Sequence, residues 1–195
     1  TSFKAATSTQ QMNIDGEIID DLKQLPPRSD RFPKPHPKFQ HCNPPDTPVY
    51  QNELSLFLAG SIEMGKAIAW QRDMCNRMQH LPITIANPRR GYWDPKAKPQ
   101  PNDEGFRRQV QWELAALEKA DVICFFFDVK TMSPVTMMEL GLWAKSKKIV
   151  VCCGDGFWRR GNVHITCERY EVPCVDDYSE MVYEVKKMLR EKALE

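Results

Sequence analysis

The sequence predicts an α/β fold: a doubly wound parallel sheet in a three-layer sandwich, with a proline-rich N-terminal arm. Three observations carry this reading. From Leu54 onward, short apolar runs alternate with stretches of helical period, which implies strands joined by right-handed helical crossovers. The run Asp121-Val122-Ile123-Cys124-Phe125-Phe126-Phe127 is apolar without alternation, as in a strand covered on both faces. Residues 1 to about 50 differ in composition, being polar and rich in proline.

The elements follow in order. Pro26-Pro27, Pro33, Pro35, Pro37, Pro44-Pro45 and Pro48 deny backbone donors to a regular ladder, so residues 1–52 read as an extension and 53–195 as the domain. Leu54-Ser55-Leu56-Phe57-Leu58-Ala59 is a buried strand that stops at Gly60. Met64, Ala67, Ile68, Gln71, Met74, Cys75 and Met78 then recur at helical spacing, which predicts an amphipathic helix directly after Gly60-Ser61-Ile62. Ile83–Ala86 is a second strand, and Asn87–Pro101 is too rich in proline and charge for helix or strand. Phe106, Val110, Leu114 and Leu117 mark a second helix that leads to the central strand at Asp121–Phe127. Proline at a first helical position starts a third helix near Pro134, carrying Val135, Met138, Leu142 and Trp143. Lys148–Cys153 is a strand, Val172–Val175 a short one, and a last helix from Tyr178 aligns Met181, Val182, Val185, Met188 and Leu189.

Charge and composition narrow the partners. Lys plus Arg number 27 against 26 Asp plus Glu, so no overall field draws the chain onto a nucleic acid polymer or an anionic membrane, and a small-molecule partner is expected. Seven cysteines without CxxC spacing, several inside apolar runs, read as reduced core thiols of a cytoplasmic protein. His36, His41, His80 and His164 are scattered, so no metal site is expected. Neither GxGxxG nor a P-loop ending is present, and no cofactor is expected. The N-terminal residues lack an apolar signal core, and no stretch approaches the ~20 apolar residues of a membrane span.

In open parallel sheets ligands bind beyond the carboxyl ends of the strands, where strand order reverses. That selects Gly60-Ser61-Ile62, Asn87-Pro88-Arg89-Arg90 and the segment from Asp128 to Ser133. Glu139, set among apolar neighbours in Met137-Met138-Glu139-Leu140-Gly141, is either an acid paired or solvated on its helix or a nucleophile tuned by a pocket. Glu113 is either a surface acid or a second carboxylate. Glycosyl chemistry uses two such groups, one against the developing glycosyl cation and one managing protons or orienting the sugar. Gly60-Ser61-Ile62 is either a tight turn or a holder of phosphate or sugar oxygen through free backbone N–H groups. Arg89-Arg90 with Tyr92 and Trp93 has the composition of an anion clamp beside a stacking platform, or of a solvated basic loop; Arg159-Arg160 with Trp158 has the same composition.

These residues resemble the nucleoside 2-deoxyribosyltransferase-like family, which includes nucleotide N-glycoside hydrolases. Phe57-Leu58-Ala59-Gly60-Ser61-Ile62 is similar to its first strand and substrate loop. Ser133-Pro134 followed by Met138-Glu139-Leu140-Gly141 looks like the segment ending in its nucleophilic Glu, and Glu113 falls where the family carries an acid that is commonly Asp. Asn87-Pro88-Arg89-Arg90 and Gln109-Val110-Gln111-Trp112-Glu113 look like its transferase-like branch. Asn162 falls near an Asn that members lend to a neighbouring subunit. The resemblance implies a flavodoxin-like, Rossmann-like domain and cleavage of the N-glycosidic bond of a nucleoside or nucleotide through a glycosyl intermediate on Glu139, by hydrolysis or transfer. It also implies substrate contacts at Gly60, Ser61, Ile62, Arg89, Arg90, Trp112, Asp128, Ser133 and Asn162, and a homo-oligomer. A non-catalytic nucleoside sensor with the same pocket is the alternative. The chain departs from the family's nucleotide hydrolases by carrying Glu63 where they have Arg. At the start of the helix after the turn, Glu63 opposes a 5′-phosphate while Arg89 and Arg90 favour one. Nucleosides and nucleotides are therefore both expected to bind, with any phosphate preference set by the arginines.

Overall fold

Successive side chains of a strand point to opposite faces, so a strand apolar at every position has to be covered twice. The computed structural model, which describes residues 12–13, 18–27, 32–93 and 98–194, resolves the apolar runs this way. In β3 (Leu54–Gly60), β6 (Val122–Phe127) and β7 (Ile149–Cys153), one core takes Leu56, Leu58, Val122, Cys124, Phe126, Val150 and Cys152. The other takes Phe57, Ala59, Ile123, Phe125, Phe127, Ile149, Val151 and Cys153. The first core is closed by α1 (Trp70–Met78) and α5 (Tyr178–Lys192), through Trp70, Met74, Tyr178, Met181 and Val185. The second is closed by α2 (Glu104–Lys119), α3 (Pro134–Trp143) and α4 (Arg160–Arg169), through Ala116, Leu117, Leu140, Val163 and Cys167.

With β2 (Gln40–Cys42), β4 (Ile83–Ala86) and β8 (Cys174–Val175), these strands form a six-stranded sheet of order β2-β4-β3-β6-β7-β8. Every pairing is parallel. From β3 the chain steps outward to β4 and then crosses back to β6, so strand order reverses between β3 and β6. The fold is a doubly wound, flavodoxin-like sandwich, and the reversal directs attention to Gly60-Ser61 and Asp128, where those two strands end. Among the described residues, no helix is long and apolar enough to cross a membrane. The cysteines are free thiols, with Cys75, Cys124, Cys152, Cys153 and Cys167 buried.

Several expectations are corrected. The arm is not without a ladder. Between Pro37 and Pro44 lies a proline-free window, and β2 fills it as an edge strand paired to β4, where proline's missing donors on either side do no harm. The helix expected directly after Gly60-Ser61-Ile62 starts only at Trp70. Glu63–Gly65 is a 3-10 turn with left-handed φ at Glu63, Met64 and Gly65, and Ala67 and Ile68 are held by side chains from elsewhere. The segment Asn87–Pro101 contains the two-residue strand β5 (Tyr92–Trp93), antiparallel to β1 (Met12–Asn13). The pair Arg159-Arg160 leads into helix α4, which burial of only Val163 and Cys167 leaves without a visible periodicity. Of the apolar residues assigned to α3, Trp143 packs against the core but Val135, Met138 and Leu142 are exposed, while Thr136, Glu139 and Leu140 are buried.

Candidate active site

The ends of β3 and β6 are laced together by hydroxyl groups. Ser61 Oγ accepts the Asp128 N–H at 2.9 Å and lies 2.5 Å from Ser133 Oγ. Thr131 Oγ1 lies 2.8 Å from Ser61 Oγ and 2.7 Å from Ser133 Oγ. All three hydroxyl residues are buried, so their mutual bonds offset the cost of removing them from water. Ser61 is held further by its backbone. Its N–H donates to Phe126 O at 2.9 Å, and its carbonyl accepts from Trp70 Nε1 and Gln71 Nε2. Gly60 allows this close approach: a Cβ there would lie 2.5 Å from Phe126 O and 2.6 Å from the Trp70 ring.

Asp128 is fully buried and satisfied. Its Oδ2 accepts the Ile68 N–H, and its Oδ1 accepts from Lys130 N and from Gln24 Nε2, each at 2.9 Å. Gln24 also takes the Val129 N–H on its Oε1, so an arm residue grips the loop after β6 by both ends of its amide. The other end of the arm reaches the loop after β4. Asn43 Nδ2 donates to the carbonyls of Asn87 and Arg89, and Trp112 Nε1 donates to Asp46 O at 2.8 Å.

Helix α3 carries Glu139 into the interior, where it is 7 % exposed. Its carboxyl is raised from the ordinary 4.5 to about 8, chiefly by burial and secondly by the charge of Glu113 on α2. Glu113 is raised too. Burial is the main cause, while the Gln109 amide and the Arg90 guanidinium act against it. Arg90 Nε donates to Gln109 Oε1 at 2.5 Å and Gln109 Nε2 donates to Glu113 Oε1, a chain ending beside Glu139. The two acids interact and each is displaced by burial, as carboxylates of a functional site often are.

The structure thus brings Glu113 and Glu139 together, and Gly60, Ser61, Asp128 and Ser133 together at the strand ends. It separates the expected arginine clamp. Arg89 is 3 % exposed, with Nη1 donating to Ile68 O and Gln71 Oε1 and Nη2 to Ala67 O, because the non-helical stretch before α1 leaves those carbonyls needing donors. Arg90 serves the Gln109–Glu113 chain. The side chains of Tyr92 and Trp93, the expected stacking platform, lie outside the described residues. Asn162 is exposed in the first turn of α4, and Ile62 is half-buried.

Glu63 starts only a single 3-10 turn, not the expected α-helix, which begins at Trp70. Glu63 Oε1 accepts the N–H groups of Met132 and of Ser133, the latter at 2.6 Å, so it holds the two residues just before α3. Gln24, Gln109 and Thr131 were not singled out from sequence; of these, only Thr131 fell within a segment selected by the strand-end rule. A cavity of about 620 Å³ lies between the arm and α1, away from the two acids, and is lined by Leu25, Ile68 and Arg72 among others. Among the described residues, no group of His, Cys, Asp and Glu is placed to hold a metal ion. In comparison with known proteins, a family model described as "Nucleoside 2-deoxyribosyltransferase like" matches residues 53–157. No curated protein matches the chain.

Proposed function

Because the chain belongs to the nucleoside 2-deoxyribosyltransferase-like family, we propose that it cleaves the N-glycosidic bond of a nucleoside through a glycosyl ester on Glu139. The observation that carries this is buried Glu139 interacting with half-buried Glu113. A buried carboxyl raised to about 8 needs a compensating role, and attack on an electrophilic anomeric carbon supplies one. Glu139 Oε forms the bond to the anomeric carbon while the carbon–nitrogen bond breaks and its electron pair leaves with the base. Glu113, whose charge acts on Glu139, orients the sugar, and the departing base takes its proton from water. Water then hydrolyses the ester, or an acceptor base takes the sugar; free sugar or a new nucleoside in the product mixture tells the two apart.

The remaining assignments belong to the same proposal. Ser61, Ser133, Asp128 and Trp112 shape the sugar and base sites, with Gly60 and Ile62 placing the first loop. Residues 53–195 act as the catalytic unit and 1–52 as an accessory arm, a division supported by the family match beginning at residue 53. The protein works in the cytoplasm, for which its free thiols are the supporting observation. It works as a homo-oligomer, supported by the outward apolar face of α3 and by exposed Asn162. The experiment is incubation with a panel of nucleosides and following free base by chromatography. Base release that falls at least ~10²-fold in Glu139→Ala is expected. The binding-only alternative fits the protonated state that Glu139 keeps at neutral pH while the site is empty. It predicts ligand-induced thermal stabilisation with no base released at any pH.

A further inference from the structure

A helix that ends in a left-handed residue folds the following chain back over its own last turn. After α4 that residue is Glu171, with φ of 56°, and the Val172 N–H returns to the Cys167 carbonyl at 2.9 Å. Two residues later Cys174 enters the edge strand β8, opposite Val151. The turn therefore sets Cys174 against Cys167, within hydrogen-bond range, the Cys167 thiol donating to the Cys174 sulfur. Cys153 at the end of β7 belongs to the same cluster. The bond from Cys167 holds the Cys174 thiol below its ordinary 9.0, against burial and the charge of Asp176, and the Arg160 cation acts in the same direction. Arg160 Nη2 donates to Asp176 at 2.6 Å, while its buried Nε has no hydrogen-bond partner among the described residues. Cys167 is buried and Cys174 half-buried. The other half-buried thiol, Cys42, lies on β2 at the opposite edge of the sheet.

From this placement we infer that Cys174 and Cys167 form a redox-modification site, a dithiol that a hydroperoxide oxidises to a disulfide. A reactive cysteine is a partly exposed thiolate beside a cation, and a resolving thiol next to it completes the pair. Cys174, half-buried and near Arg160, is the attacking sulfur; buried Cys167 is the resolving one. The Cys174 thiolate attacks one peroxide oxygen, so an S–O bond forms, the O–O bond breaks, and the second oxygen leaves as an alcohol or water after taking up a proton. The Cys167 sulfur then attacks the Cys174 sulfur. An S–S bond forms, the S–O bond breaks, and the hydroxyl departs with the Cys167 proton as water. The two thiols together lose two electrons and two protons, which the hydroperoxide accepts. Neither thiol takes part in the glycosidic reaction proposed at Glu139, so this site is independent of it.

The test is treatment of the reduced full chain with hydrogen peroxide, followed by alkylation of the remaining thiols with iodoacetamide and tryptic mapping by mass spectrometry. Two of the seven thiols are expected to be lost, in a disulfide that dithiothreitol reverses. Cleavage after Arg169 falls between the two cysteines, so the bridge joins peptide 161–169 to peptide 170–186. Cys167→Ser keeps a hydroxyl to donate to Cys174 but removes the resolving sulfur, and dimedone is expected to capture the Cys174 sulfenic acid in it. Cys174→Ser is expected to leave Cys167 a free thiol. Survival of all seven thiols in wild type overturns the inference. So does a bridge that joins other cysteines, or dimedone capture at Cys42 in place of Cys174. The wild-type map decides the matter whether or not either variant folds.

Discussion

Glu139 has two charge states and the fold favours the neutral one. Its carboxyl is raised from 4.5 to about 8 first by burial and then by Glu113, so both causes penalise ionisation. Attack on an anomeric carbon needs the ionised form, and kcat/KM reports the free enzyme. The expected profile therefore rises with pH through an apparent value near 8, and Glu113→Gln moves that rise to lower pH by deleting the like charge. A profile flat from about pH 6 to about pH 9 contradicts the assignment. Stability runs the opposite way. A carboxyl whose folded value lies above its unfolded value costs stability progressively as pH climbs from 4.5 through about 8. Chemical denaturation should find Glu139→Gln more stable than wild type by a few kcal/mol above pH 8, with the difference vanishing below 4.5. Glu139 was legible in the sequence because a carboxylate interrupts an apolar helix. The place of Glu63 was not, since it depends on left-handed backbone at two residues with side chains.

At the scale of elements, what sequence conveys depends on where the determining contacts lie. The strands were legible because β3, β6 and β7 are apolar at nearly every position. The start of α1 was not, because it is decided by partners far along the chain: Asp128 holds the Ile68 N–H and Arg89 holds the Ala67 carbonyl. Helix α4 was missed for a different reason, since it buries only Val163 and Cys167. Gly60 is a tight junction between elements, wedged between β6 and the Trp70 ring. Gly60→Ala drives a methyl into the Phe126 backbone carbonyl, and a loss of about 3 kcal/mol in urea denaturation is expected. A change below about 0.5 kcal/mol would show that β3 and β6 can part there without cost.

Across the whole molecule, the arm ties the candidate site down from both sides, through Gln24 on the Asp128 loop and through Asn43 and Asp46 on the Arg89 loop and Trp112. The opposite wall is bare: Val135, Met138 and Leu142 expose apolar surface on the helix that carries Glu139. A symmetric partner seated there would cover it. Sedimentation is expected to show an oligomer at micromolar concentration that Met138→Glu shifts toward monomer; a monomeric and fully active wild type refutes the oligomer. The central claim is the bond between Glu139 and the sugar, and intact-mass spectrometry after rapid acid quenching of a turnover mixture reads it directly. The account predicts one added glycosyl residue, mapped to the peptide containing Glu139 and absent in Glu139→Ala. Base release at the wild-type rate by folded Glu139→Ala, or a glycosyl residue attached to another side chain, would contradict it.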